Sequence, residues 1–395
     1  MADRIIVLRS ANSAYDSLGC ILEMIGDYFV EDGHEVTVFS FDQPGWPDRL
    51  GGLLAEGGWT FALTMSGIGT DTMTEAGRLL WEVAGVPLFN WNCDHPCYYP
   101  SRHGMSSRFL LHGYVFPDHA HYTQAHFNPT GMAFAAHLGM PDRTRFAAAP
   151  VGLRHRNGRI MFSKTGRDTA PIELYWRSLA PVVQTILFNA AEELYPASTA
   201  DFLPVLQHIA APLGILLDGN SAFTLDLILH LDAYIRFKRA NAVMRRLLDH
   251  PIDVFGRGWD HLRGEGKAAR FLGPAGFDYM MEHLPEYLGC LSLNPLTEDS
   301  VHDRVFFALA AGVVPVSDDN HFARAHLPRL ARYRFDWQPS SLEAAVAALI
   351  EDRGRAIAHA EASYQALLPE FTLRHAARRI VQFAGLHAMN HRVRA

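Results

Sequence analysis

Residues Ser292 to Ser317 read SLNPLTEDSVHDRVFFALAAGVVPVS, and this stretch decides the fold. The apolar run Leu288 to Leu293 predicts a buried strand, Asn294-Pro295 breaks it, and Val301 to Ala311 carries helical spacing of apolar residues. Gly312 ends that helix and Val313 to Val316 starts the next strand. A polar loop between the carboxyl end of a strand and the amino end of a helix is where open α/β sheets place ligands. The unsatisfied amides there favour an anion, typically a phosphate. Ser300 and Asp303 have the spacing of a capping box.

The same alternation runs outward in both directions. Arg4 to Leu8 predicts a buried first strand, followed by the loop SANSAYDSLG, a helix closing at Gly33, and a second strand at His34 to Phe39. Further strands are expected at Thr60 to Met65, Val86 to Trp91 and Gly113 to Phe116, with a helix at Thr72 to Ala84. This is the opening of a Rossmann-like half, yet its first loop has only Gly19 and lacks the GxGxxG spacing of a dinucleotide site. A hinge is expected at Ala147 to Arg159, which mixes Pro, Gly and basic residues. The second half starts with a strand at Ile160 to Ser163, and residues 172–249 read as almost wholly helical, more than an ordinary crossover needs. Strands follow at Ile252 to Phe255 and Ala269 to Leu272, and a long amphipathic helix is expected over 342–390.

The chain has 395 residues, enough for two cores, and its net charge of −7 offers no basic field for nucleic acid. Four cysteines do not make a disulfide framework, MADRIIVLRS lacks a signal-peptide layout, and no run of about 18 apolar residues appears. A cytoplasmic protein without spanning helices is the expectation, with peripheral membrane contact left open.

Three loops of the second half follow predicted strands and offer hydrogen-bond donors or cations: Ser163-Lys164-Thr165-Gly166, Gly256-Arg257-Gly258, and Asn294 to Arg304. Lys164 and Arg257 are the candidates for holding a diphosphate, and Gly166, Gly256 and Gly258 allow close backbone approach. Asn294, His302, Asp303 and Arg304 complete the set. Asn294 reads equally as a turn residue, and Arg304 as half of an ion pair with Asp303 or Glu298. Trp259 reads as core. In the first half, Asp94 and His95 lie just past a strand and Asp16 lies in the first loop, so these three are the candidates for acceptor binding or base catalysis. Asp16 also reads as a helix cap, and Asp94-His95 as a structural turn. Cys93, His95 and Cys97 are legitimate metal ligands, but no second cysteine pair accompanies them, and no metal is expected. His103, His112, His119, His121 and His126 match no metal spacing and read mostly as surface or loop residues. Asp318-Asp319 reads as a turn.

The segment Arg304-Val305-Phe306-Phe307-Ala308-Leu309-Ala310-Ala311-Gly312, with the Lys164 loop and Gly256-Arg257-Gly258-Trp259 in the same order, resembles the donor half of GT-B glycosyltransferases, especially the bacterial CgeB-related group. The three matches span most of residues 160–320. Relatives carry Glu where this chain has Phe307, and that Glu reaches the ribose of the nucleotide; Phe accepts no hydrogen bond. The resemblance implies an α/β protein of GT-B type, two Rossmann-like domains facing across a cleft. It implies residues 1–155 for an acceptor, 156–370 with a helical insertion for the donor, and 371–395 as a terminal helix packing back on the first domain. The function it implies is metal-independent transfer of a sugar from a UDP-, GDP- or dTDP-linked donor to a glycan, protein, lipid or small molecule, with no further cofactor. Two alternatives stay open: a nucleotide-sugar epimerase or hydrolase on the same fold, and a non-catalytic binding or assembly module.

Overall fold

A computed structural model describes the chain except residues 1, 12–13, 106, 128–132, 147–151, 199–200, 263–267, 339 and 393–395. It divides into two compact units, residues 1–141 with 370–395, and residues 142–369. Part of the expected hinge, 147–151, lies outside the described residues.

Unit 1 begins β1 (Arg4–Arg9), α1 (Ser17–Glu31), β2 (Glu35–Ser40), α2 (Trp46–Ala55) and β3 (Phe61–Met65). It continues α3 (Leu80–Ala84), β4 (Leu88–Asn92), α4 (Pro100–His103), β5 (Leu110–Tyr114), α5 (Pro117–His126) and β6 (Ala133–Ala135). The strands form one parallel sheet in the order β2-β1-β3-β4-β5-β6. β1, β3, β4 and β5 are covered on both faces, which is why their sequences are apolar runs rather than alternations.

Unit 2 contains β7 (Ile160–Ser163), then α6 (Ala170–Arg177), α7 (Pro181–Leu194), α8 (Phe202–Ala210) and α9 (Ala222–Leu247) before β8 (Ile252–Phe255). β9 (Arg270–Gly273), α10 (Phe277–His283), β10 (Gly289–Ser292), α11 (Asp303–Ala310), β11 (Val314–Asp318), α12 (His321–His326) and β12 (Arg334–Phe335) follow. α13 (Ser341–Glu351) and α14 (Arg353–Leu367) end the unit, and α15 (Leu373–Arg392) belongs to unit 1. There α15 packs on α1, and Arg374 and Arg378 bind Asp32 at 2.8 and 2.7 Å.

The second sheet is also parallel, in the order β12-β11-β10-β7-β8-β9. The chain starts it in the middle, builds outward through β8 and β9, then returns to lay β10 on the other side of β7. Adjacent strands whose connections leave in opposite directions part at their carboxyl ends, so the loops after β7 and β10 frame a crevice.

Several sequence expectations are corrected. Only Leu80–Ala84 of the expected Thr72 to Ala84 helix is helical. Before it the chain turns at Gly67, Gly69 and Gly77, all at positive φ, and the Trp81 indole donates to the Gly69 carbonyl at 2.7 Å. The long terminal helix is three helices. Asp352 leaves helical geometry and accepts from the Arg355 amide at 3.0 Å, and Pro369 follows α14. The histidines of residues 103–119 are not surface groups: His103, His112 and His119 are buried. His103 Nδ1 lies 2.6 Å from the Tyr114 hydroxyl, which also accepts from Thr123 at 2.7 Å.

Burial holds His103 and His112 in the neutral form, pushing their pKa values down to about 3 and about 4. An unfolded histidine titrates near 6.5, so on acidification the unfolded chain takes up protons that the folded chain excludes, and stability falls below that pH. Unfolding in urea is therefore expected to show unit 1 losing about 2 kcal/mol per buried histidine between pH 7 and pH 5. A replacement of both by glutamine should flatten that slope; an unchanged slope would contradict the assignment.

Candidate functional site

The crevice of unit 2 holds a cavity lined by Lys164 after β7, Leu293 to Leu296 after β10, His302 before α11, and Ile235, Arg236 and Arg239 of α9. Each wall is fixed by a separate set of contacts.

The Lys164 loop is held by its neighbour after β8. The Lys164 amide donates to Phe255, the Gly166 amide donates to Arg257, and the Trp259 indole donates to the Lys164 carbonyl, all at 2.8 Å. Trp259 is buried, as core. This packing explains the glycines. A Cβ on Gly256, at φ 145°, would meet the Lys164 carbonyl at 2.2 Å, one on Gly258 would meet the Gly166 carbonyl at 2.1 Å, and one on Gly166 would meet the Trp259 ring at 2.4 Å. The close approach they permit is of loop to loop. Arg257 is exposed and outside the cavity lining.

Asn294 ties the second wall together. Its amide donates to Asp318 Oδ1 at 2.8 Å, its Nδ2 donates to the Asp318 carbonyl at 3.2 Å, and its Oδ1 accepts from the His302 amide at 2.8 Å. One side chain thus joins the ends of β10 and β11 to the start of α11. Asn320 pins the intervening loop by donating to the carbonyls of Thr297 and Ser300. With these bonds made, α11 starts at Asp303, its cap position is His302, and the expected Ser300 capping box does not form.

Charge is distributed unevenly. Lys164 is half-buried, and among the described residues its ammonium has no hydrogen-bond or ion-pair partner. Burial, then the Arg304 guanidinium, pushes its pKa down to about 7. Arg304 reaches Ser163 Oγ at 3.0 Å and a His302 ring nitrogen at 2.9 Å, and its guanidinium pairs with no carboxylate among the described residues. His302 is kept neutral by burial, its pKa lowered to about 4, with Nδ1 against Asp303. That arrangement fits an Nδ1–H tautomer accepting from Arg304 at Nε2, and it spares the amino end of α11 a second cation. Asp303 is held ionised despite burial by His302 and Arg304. Asp318 is fully buried with Oδ2 unpartnered, and burial pushes its pKa up to about 6.

The α9 wall is the part that the sequence reading missed. Arg239 is 2% exposed, and its guanidinium donates to the carbonyls of Leu194, Tyr195 and Ala197 with Trp337 beneath it at 4.3 Å. Nη1 has no partner, and no carboxylate pairs with the group among the described residues. Arg236 binds Asp232 one turn back at 2.8 Å. The available signal was a set of charged residues, Asp232 and Arg239, in phase with the buried Ile228, Leu231 and Ile235 of the same helix.

Residues 238–382 match the family described as "Glycosyl transferase-like". Among solved structures the chain is similar to an alpha-glucosyltransferase in complex with UDP, at TM-score 0.59 and 11% identity, covering 97% of this chain and 99% of that one. It is also similar to sucrose-phosphate synthase from Thermosynechococcus elongatus, at TM-score 0.53 and 11% identity, covering 98% and 100%. A third is Anabaena Alr3699/HepE in complex with UDP and glucose, at TM-score 0.52 and 12% identity, covering 96% and 98%. No curated protein matches the chain in sequence. The solved structures show the fold, and the chain has the GT-B fold. Its residues 238–382 carry the glycosyl transferase-like match.

In unit 1 two of the three candidates, His95 and Asp16, make structural contacts. His95 is buried, and its Nδ1 accepts from the Cys97 amide at 3.1 Å, while its ring packs on Tyr122. Asp16 sits at the start of α1 at φ 57° but does not cap it; it pairs with Arg9 at 2.6 Å. Asp94 is half-buried at the end of β4. Among the described residues, Cys93, His95 and Cys97 do not gather as metal ligands. Phe307 is buried edge-on to Phe277, with centroids 5.5 Å apart.

Gly166→Ala tests the loop packing. Its Cβ would enter the ring of a tryptophan already fixed by a hydrogen bond, so urea unfolding should show a loss of about 1–3 kcal/mol. Wild-type stability would show that the loops do not depend on that contact.

Proposed function

We propose that unit 2 binds a nucleotide-sugar donor through its diphosphate and that the enzyme moves the sugar to an acceptor held by unit 1. An acceptor oxygen bonds to the anomeric carbon, the bond from that carbon to the diphosphate oxygen breaks, and a nucleoside diphosphate leaves. The observation that supports this most is the Lys164 ammonium, without a partner among the described residues, in the crevice between the ends of β7 and β10, next to the amino end of α11. Charge growing on the leaving oxygens would meet Lys164, the neighbouring Arg304 and the amino end of α11, a cationic grip that does the work a divalent metal does elsewhere.

Two of the similar structures hold UDP, so a uridine donor is the first to test. Phe307 and Phe277 offer packing rather than hydrogen bonds to a nucleoside. If the reaction inverts the anomeric carbon, the base candidates of unit 1 are Asp94, His95 and Asp16. Retention needs no dedicated base. An alpha-glucosyltransferase among the similar structures was solved with a DNA 13-mer, but the net charge of −7 here favours an acceptor that is not nucleic acid.

The proton on Lys164 gives a test. A bound diphosphate favours the ammonium, so above pH 7 the free enzyme must take up a proton before it binds. Titration calorimetry should show UDP affinity level below pH 7, then falling by up to about tenfold per pH unit. Lys164→Arg should abolish that fall, and Lys164→Ala should weaken UDP by about 10–100-fold at pH 7. Affinity independent of pH between 7 and 9 would remove Lys164 from the phosphate grip.

A further inference from the structure

α9 belongs to the helical segment inserted between β7 and β8, and such a segment reads most simply as a docking surface. The cavity contradicts that. Three of its lining residues, Ile235, Arg236 and Arg239, come from α9, facing the Lys164 and Asn294 loops. Arg239 carries a buried charge whose hydrogen bonds go to carbonyl oxygens, with Asp318 and Asp232 acting on it through space and one nitrogen unpartnered. A guanidinium removed from water without a hydrogen-bonded anion is costly, and this one lines the cavity. Arg236 is three-quarters buried at its side chain and is oriented from behind by Asp232, which is itself almost fully buried. A guanidinium is the cation whose planar set of donors matches the oxygens of a phosphate.

From this juxtaposition we infer that the insertion supplies half of the phosphate site: Arg236 touches the diphosphate of the donor, and Arg239 is a positioning residue whose buried charge raises the affinity of the cavity for it. The inference rests on the donor reading given above and adds residues outside the three strand-end loops. It also assigns the insertion a purpose: without α9 the crevice would be open to water on the side facing Lys164, and each charge in it would be screened.

Because Arg239→Gln removes bonds to three carbonyls and threatens the fold, the test falls on Arg236. Titration calorimetry is run with UDP and with inorganic pyrophosphate on wild type, Arg236→Gln, Arg236→Lys and the pair Asp232→Asn/Arg236→Gln, which leaves no buried carboxylate alone. The expected result is a loss of about 10–100-fold for both ligands in Arg236→Gln and in the pair, partial recovery in Arg236→Lys, and a weaker dependence on salt in the glutamine variants. Loss of UDP with pyrophosphate unchanged would mean that Arg236 reads the nucleoside, and the inference falls. Unchanged affinity for both also overturns it while leaving the donor reading intact. A wild type that binds neither ligand overturns the donor reading and this inference together.

Discussion

Positive charge gathered in a crevice, with Lys164, Arg304 and Arg239 making no ion pair of their own among the described residues, is the constraint on which the rest of unit 2 depends. Lys164 and Arg304 pair with no carboxylate among the described residues, and Arg239 is buried with its hydrogen bonds made to carbonyl oxygens and an aromatic face beneath it. Such groups are tolerated where the surrounding structure is rigid and an anion is expected to arrive. The rigidity is visible: Trp259 holds the Lys164 carbonyl, Asn294 knots three chain segments, and Asn320 fixes the loop between them. His302 contributes by staying neutral, so that it can accept from Arg304 instead of repelling it.

The fold makes that placement possible. In a parallel sheet started at its centre, the strands on either side of the start carry their connections away in opposite directions, and the crevice between them is an outcome of topology. Gly256, Gly258 and Gly166 let the loops after β7 and β8 lie closer than any side chain would allow, which brings Trp259 under Lys164. The helices after β7 then close the remaining side, with Ile235 and Arg236 one turn before Arg239 in the lining of the cavity.

Much of this was legible from residue order. Strands buried on both faces appear as unbroken apolar runs, so Ile252 to Phe255 and the strand before Asn294 could be placed within a residue or two. The loops after β7 and β10 could be named as ligand sites because strand, polar loop and helix follow one another locally. Other features depended on distance. Nothing near Arg239 announces that its partners are the carbonyls of Leu194 and Tyr195, or that Lys164 is across the cavity. Arg257 had the right chemistry and sits in the right loop, but its side chain is exposed and off the lining. Glycines that suggest approach to a ligand proved to need their space for each other's loops, and histidines that suggest a polar surface are buried beside Tyr114. In each case the residue type was read correctly and its direction was not, because direction is set by tertiary packing.

The central claim is that the crevice at the carboxyl ends of β7 and β10 receives the diphosphate of a nucleotide sugar. A crystal structure of the protein grown with UDP tests it most directly. The account predicts both phosphates in the cavity lined by Lys164, Asn294, His302, Arg236 and Arg239, with the Lys164 ammonium within hydrogen-bond distance of a phosphate oxygen. UDP ordered elsewhere on the chain, with that cavity left to solvent, would contradict it.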